Sequence, residues 1–370
     1  MNYKGNPEYK HDSPSCTGIL ITNLGTPDEP TASSVRKYLA EFLSDPRVIE
    51  LPKYLWWLVL HGVILRIRPS RSAKAYKKIW TESGSPLLSI SKKQVLGLEK
   101  ILAEKVQGPI KIKLSMRYGN PSIKSELNKL RELNANRILV LPLYPQYSAA
   151  TTASTFDAVT NELKKWRWLP ELRMINHYHD DPDYINALTN SIEDHWRNNS
   201  RPQKLIFSFH GLPKHYFLAG DPYHCECHKT ARLVTEKLKL NQEEWLVTFQ
   251  SRFGPKEWLK PYTDKTLISL AENGIKSINV ICPGFSADCL ETLEEINIQN
   301  REFFTEAGGE KFAYIPALND SSEHLQLLSN IILKHTNDWP EFSTNWDQEK
   351  INKGLSKSRK LAEKSTHNKD

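Results

Sequence analysis

Two places in this chain set a titratable side chain just past an apolar run and just before a backbone break. In Lys204-Leu-Ile-Phe-Ser-Phe-His-Gly-Leu-Pro213, an aromatic-rich run reaches His210 and stops at once on Gly211 and Pro213. The pattern predicts a buried strand that ends in a sharp turn, with His210 at its carboxyl end. In open α/β sheets ligands bind at that edge, and an imidazole there takes a proton or coordinates a metal near neutral pH. A histidine satisfied by hydrogen bonds beneath a loop is the plainer reading, and a second element shifts the balance.

That element is Ser277-Ile-Asn-Val-Ile-Cys-Pro-Gly-Phe-Ser-Ala-Asp-Cys-Leu-Glu-Thr-Leu-Glu-Glu295. An apolar strand again meets a Pro-Gly break, and an acidic helix is expected to follow. Ser286 is the expected N-cap, and Asp288 in the first turn complements the helix dipole. Asp288, Glu291 and Glu295 are spaced i, i+3, i+7 and would share one face of a helix. Stacked carboxylates are most often a solvated face. Beside a histidine at a neighbouring strand end they would attract a cation or relay protons.

The elements that must position these groups share one grammar. Residues 19–24, 138–143, 205–209 and 278–282 are β-branched apolar runs, each followed by a loop containing Pro or Gly. Amphipathic helical stretches lie between them, at 35–42, 91–105 and 123–133. Strand alternating with helix implies parallel sheets joined by right-handed crossovers. Two such sheets fit the length and would meet near 167–173. No two glycines stand in G-x-G spacing, and no phosphate-cradling loop is present. The missing G-x-S-x-G elbow weighs against an α/β-hydrolase.

A chain of 370 residues exceeds what one compact core usually holds, so two domains are expected. The composition, 39% hydrophobic and 25% charged, is that of a globular protein. The net charge of +7 suits an anionic membrane surface or a ligand bearing carboxylates. No basic run interleaved with aromatics forms a nucleic-acid module. Residues 1–15 do not read as a secretory signal, and the five cysteines, an odd number, argue for the reducing cytoplasm. The longest charge-free apolar run, 54–65, is too short to span a bilayer. The lysine-rich stretch 346–370 holds almost no large apolar side chains and is read as a disordered tail or a loosely packed helix.

With these motifs in hand, the chain resembles the ferrochelatases, enzymes that insert ferrous iron into a porphyrin. The resemblance runs from about residue 18 to about residue 319. It is carried by Ile21-Thr-Asn-Leu-Gly-Thr-Pro27, Leu114-Ser-Met-Arg-Tyr-Gly119, Leu141-Pro-Leu-Tyr-Pro-Gln-Tyr-Ser148 and Phe249-Gln-Ser-Arg-Phe-Gly-Pro-Lys-Glu-Trp-Leu259, together with the two segments above. It implies two doubly wound parallel-sheet domains of the chelatase type, 16–167 and 168–335, with a porphyrin cleft between them. The implied substrates are protoporphyrin IX and ferrous iron, and the implied product is protohaem with release of two protons. A chelatase for another metal or tetrapyrrole (coproporphyrin III or sirohydrochlorin), or a non-catalytic tetrapyrrole carrier, is the alternative.

Metallating a porphyrin requires a base on one face, access for the metal, and walls that hold a flat apolar macrocycle. The resemblance makes His210 and Glu291 the catalytic pair. His210 would take the pyrrole protons and Glu291 would orient it or pass protons onward, or both would ligate the iron. Leu24, Arg117, Tyr118 and Trp258 correspond to positions that line the porphyrin cleft. Asp288 and Glu295 would continue the acidic track as a proton or metal relay, which ends at Gln299. Cys289 stands where many relatives have histidine.

Residues 51–78 carry an apolar run flanked by Arg66, Arg68, Arg71 and Lys74. The resemblance makes this the lip over the porphyrin entrance, dipping weakly into the inner face of a membrane. His224-Cys-Glu-Cys-His228 offers four ligands in five residues, but one extended pentapeptide cannot wrap a tetrahedron with all of them. It is read as a loop before a helix over 230–240. Some ferrochelatases hold a [2Fe–2S] cluster on four cysteines. Here Ala149 replaces one of these, and no cysteine follows Cys289, so no cluster and no other cofactor is expected.

Overall fold

The computed structural model describes residues 3–5 and 12–367. Eight strands form two four-stranded sheets. The first contains β1 (Cys16–Thr26), β2 (Ile110–Gly119), β3 (Ala135–Pro142) and β4 (Glu171–Met174) in the order β2-β1-β3-β4. The second contains β5 (Lys204–His210), β6 (Trp245–Gln250), β7 (Ser277–Ile281) and β8 (Lys311–Ile315) in the order β6-β5-β7-β8. All pairings are parallel. The central strands are apolar runs buried on both faces, as sheets covered by helices on both sides require.

The two sheets share one strand order. In each, the chain starts at a central strand, steps to one side, then returns past it to the other side. That reversal is the topological switch point, where the crevice beyond the strand ends opens. Leu24 lies near the carboxyl end of β1, and His210 is the last residue of β5.

The expected junction at 167/168 needs correcting. β4 lies beyond it, yet pairs with β3 in register Val140↔Met174 and closes the first sheet. Its four residues were too short a run to read as a strand. The helix Ser322–Thr336 also returns to the first half: Leu327, Leu328, Ile331 and Ile332 share one core with Ile19, Ile21, Leu98 and Ile112. It packs against the helix Pro86–Lys105 so closely that a Cβ on Gly97 would lie 2.4 Å from a Leu325 methyl. Just beyond it, Glu341 accepts from Arg137 at 3.1 Å and from the Thr17 hydroxyl at 3.1 Å.

Of the two readings of the tail over 346–370, a disordered segment or a loosely packed helix, the structure takes the second over Gln348–His367, and 368–370 lie outside the described residues. Half-buried Ile351, Leu355 and Ser358 give it a narrow inward stripe at helical spacing, and Arg359 pairs with Asp12. The expected loop at 224–228 is likewise helix, since Tyr223–Lys237 begins one residue after Pro222. Asp221 accepts from the Tyr223 amide at 3.0 Å and supplies the start signal. Among the described residues, no helix is long and apolar enough to cross a membrane.

Candidate active site

His210 is half-buried at the end of β5. Its Nδ1 lies 2.7 Å from the carbonyl of Gly211. A carbonyl only accepts, so Nδ1 carries a proton, and in the neutral tautomer that this bond selects the lone pair lies on Nε2. That lone pair is what a base or a metal ligand needs. A side chain at Gly211 would meet the Gln250 carbonyl at 2.7 Å and the Trp258 ring at 3.1 Å, so glycine lets three segments converge behind His210.

Gln250 is the hub of that convergence. It sits beside His210 in the β5–β6 register, and its carbonyl accepts the Gly211 amide at 2.7 Å. Its buried side-chain amide accepts from Ser208 at 2.6 Å and donates to the Glu291 carbonyl at 2.9 Å. One residue therefore connects the histidine strand to the acidic helix.

That helix is not the α-helix expected. Glu291–Asn300 is π-helical and passes into an α-helix at Arg301–Glu306. A π-helix bonds i to i+5 and so is wider than an α-helix, which rotates side chains off the i, i+3, i+7 stripe. Glu294 faces the lip region, where Lys78 pairs with it at 3.0 Å and Gln299 donates to it at 2.6 Å. Glu295 turns toward the β6 end, where the Ser251 amide donates to it at 2.8 Å and the Ser251 hydroxyl also donates. Ser251 has φ +65, a left-handed backbone that its two bonds to Glu295 help to hold. Burial pushes the Glu295 carboxyl up to about 7, with the Glu291 charge adding to the rise and the Ser251 bonds opposing it.

Glu291 is half-buried and lies among groups from the first half of the chain. Burial raises the Tyr38 and Tyr76 hydroxyls well above their ordinary value, and the Glu291 charge raises both further. Burial lowers the Arg68 guanidinium, and the attraction of Glu291 offsets part of that. Tyr38 went unnoticed in the sequence because residues 35–42 read as an ordinary amphipathic helix, and Tyr76 because it falls in the 51–78 segment read for its apolar run and basic flank.

Asp288 does not join the acidic track. It precedes the π-helix, is buried, and accepts from Thr292 at 2.9 Å, Tyr314 at 2.6 Å and Asn319 at 2.8 Å. With its oxygens so engaged, it fastens the loop before the helix to β8 and the segment beyond. Ser286 is not an N-cap either, for it is buried with its hydroxyl unpartnered. Cys289 is buried, and burial holds its thiol well above its ordinary value.

The four cleft candidates divide. Leu24 is half-buried and packs on Leu87, Ala287 and Cys289, where the first half meets the loop before the π-helix. Trp258 is half-buried, is anchored by its indole N–H on the Phe253 carbonyl at 2.8 Å, and backs Gly211. Tyr118 is fully buried, its hydroxyl bonded to Asp45 at 2.8 Å and Ser154 at 3.1 Å, so its ring is core. The Arg117 guanidinium pairs with Asp45 and donates to the Ser154 hydroxyl at 2.6 Å. These two residues form a polar lock under the first sheet, with Asp45 the partner that the sequence did not disclose.

The segment expected to form a lip runs through Lys53–Val59, a π-helical turn at Leu60–Ile64, and Leu65–Ile79. Tyr54, Leu55, Trp57, Leu58, Val63 and Ile67 are exposed. Trp56 is different: it is half-buried and donates to the Leu43 carbonyl at 2.6 Å. The segment is thus an exposed apolar ridge pinned by one tryptophan.

Residues 16–336 match the family model described as ferrochelatase. The chain is 55% identical to the ferrochelatase of Thioalkalivibrio sulfidiphilus over 347 residues, covering 94% of each. It is 53% identical to that of Nitrosococcus oceani over 362 residues, covering 98% of each. Among solved structures, the sirohydrochlorin chelatase SirB of Bacillus subtilis subspecies spizizenii, in complex with cobalt, shares the fold. The TM-score is 0.51 at 11% identity, covering 88% of this chain and 98% of that one. By the extent and identity of these matches, the chain belongs to the ferrochelatase family.

Proposed function

We propose that this chain inserts ferrous iron into protoporphyrin IX, giving protohaem and two protons. The observation that carries the reading is the match to ferrochelatases over nearly the whole length, at more than half identity. The geometry supports it, since a histidine whose Nδ1 is engaged stands at a strand end and is linked through one glutamine to a helix with three carboxylates, Glu291, Glu294 and Glu295.

In this reading the macrocycle lies in the crevice between the carboxyl ends of β1 and β5, against Leu24, with Trp258 backing the histidine turn. His210 takes a pyrrole proton on Nε2 as the ion enters. The alternative role, a direct bond from that nitrogen to the incoming iron, uses the same lone pair. Glu291 neutralises the imidazolium that forms, and Glu295 passes protons or iron along the same helix. Arg117 and Tyr118 act on the wall from behind, through Asp45. The exposed ridge at 54–67 serves a substrate that dissolves poorly in water by resting weakly on an anionic membrane face, with the protein otherwise in the cytoplasm. The chemistry needs no cofactor of the protein's own.

Anaerobic incubation with Fe(II) or Zn(II) and protoporphyrin IX, coproporphyrin III or sirohydrochlorin in turn, followed by visible spectra, tests the reading. Metallation of protoporphyrin IX ahead of the other two is expected. Preference for another ring would change the substrate, and binding without metallation would make the chain a carrier.

A further inference from the structure

Away from His210, the connection between the two sheets and the helix Tyr223–Lys237 bring together three side chains that iron insertion does not use. His177 and His179 leave the loop after β4, and Glu226 projects from the first turn of the helix. His177 Nδ1 lies 2.7 Å from one Glu226 oxygen, and His179 Nδ1 lies 3.2 Å from the other. One ligand atom from each of the three falls within 4.8 Å of the rest.

Three details distinguish this cluster from an ordinary ion pair. His179 Nδ1 is sealed from water and, despite its nearness to Glu226, makes no hydrogen bond. Two ligand atoms bonded tetrahedrally to one ion at about 2.0–2.1 Å stand roughly 3.3 Å apart, close to the 3.2 Å between that nitrogen and the carboxylate. The surroundings also hold the ligands in place: the Tyr147 amide donates to Glu226 at 2.7 Å, and Asp180, paired with Lys229 at 2.5 Å, faces the far nitrogen of His179 at 3.9 Å.

We propose that His177, His179 and Glu226 bind a divalent first-row transition-metal ion of the zinc class. Two imidazoles and one carboxylate form the donor set, and half-exposed His177 leaves a further position open to water. The ligands come from the inter-sheet connection and from a helix of the second half, while Glu226 also holds the amide of Tyr147, in the loop after β3. An ion here clasps the two halves together through side chains other than His210, Glu291 and Glu295. The proposal stands apart from the iron-insertion reading.

The test uses the untagged full-length chain, freed of metal, carrying His210→Ala so that the substrate site does not contribute. Titration with Co(II), followed by visible d–d absorption, should give one ion per chain in a nitrogen- and oxygen-ligated site, displaced by Zn(II). His177→Ala should weaken that binding by about tenfold or more, whereas His224→Ala with His228→Ala, on the neighbouring face of the same helix, should leave it unchanged. In the otherwise wild-type chain, Zn(II) should raise the Tm and shield His177 from diethyl pyrocarbonate. The shielding is read by mass spectrometry and holds even if the His177 variant fails to fold. Co(II) affinity indifferent to His177→Ala, or a His177 equally reactive with and without Zn(II), overturns the proposal.

Discussion

The side-chain amide of Gln250 donates to the main-chain carbonyl of Glu291 at 2.9 Å, and so couples the strand beside His210 to the helix bearing the site's carboxylates. Both ends of that amide are engaged, with Ser208 donating to its oxygen at 2.6 Å, so its orientation is fixed. Gln250→Ala should cost about 2 kcal/mol of stability by stranding buried partners. It should also lower kcat roughly tenfold or more, because the π-helix would no longer be held in register with His210. Thermal melts and steady-state metallation kinetics check both. An unchanged kcat with a lowered Tm would reduce Gln250 to a packing residue.

His210→Ala should abolish metal insertion and leave porphyrin affinity nearly intact, since Leu24 and the other apolar contacts remain. Porphyrin fluorescence titration beside a metallation assay reads the two separately. Metallation at a substantial fraction of the wild-type rate would remove His210 from the chemistry.

Glu291 and Glu295 should part in their kinetics. Glu291→Gln should depress kcat, whereas Glu295→Gln should chiefly raise the KM for metal, as when only ground-state capture weakens. Since the Glu295 carboxyl titrates near 7, the metal KM of the wild type should rise as pH falls through that value, and the glutamine variant should lose this dependence.

The same shift has a stability consequence. The folded pKa of about 7 lies above the ordinary 4.5, so the folded state favours the protonated form. That contribution is fully present below about 4.5 and is lost as pH rises through about 7. Glu295→Gln should therefore gain stability relative to wild type above neutrality, by on the order of 1–3 kcal/mol, and show no such gain at pH 4. Denaturant melts across the range decide, and a gain independent of pH would point to repacking instead.

Trp56 and Trp57 are adjacent and should behave oppositely. Trp57→Ser removes an exposed ring and should weaken binding to anionic liposomes with little change in Tm. Trp56→Ser removes the bond to Leu43 and should cost about 2 kcal/mol of stability. Flotation with vesicles at two salt concentrations, and melts of both variants, test the division. If Trp57→Ser left both liposome binding and porphyrin KM unchanged, the ridge would have another role.

Much of this was legible in the sequence, and the parts that were not have physical causes. His210 and the parallel sheets could be read because a buried strand writes itself as an apolar run that stops at a turn. The acidic helix misled because i, i+3, i+7 spacing assumes an α-helix, and nothing in Glu291–Asn300 announces a wider one. Asp288 looked like its neighbours, and only tertiary structure supplies the Tyr314 and Asn319 donors that commit it to the scaffold. The resemblance put Tyr118 and Arg117 on the cleft, and their anchor Asp45 was not legible because it lies 72 positions from Arg117 along the chain. In the same way, His224-Cys-Glu-Cys-His228 hid the one ligand that counts. Glu226 takes its partners from a loop almost fifty residues earlier, at a separation of 49 from His177.

The return of the helix Ser322–Thr336 to the first sheet sets a condition on synthesis. The core around Ile19 and Leu98 is closed by Leu328 and Trp339, and Thr17 near the start of β1 awaits Glu341. A ribosome has therefore released the first sheet long before its covering helix exists. Until about residue 342 has left the exit tunnel, the apolar face of the first half stands open, and a nascent chain stalled or truncated before that point would be a natural client for chaperones.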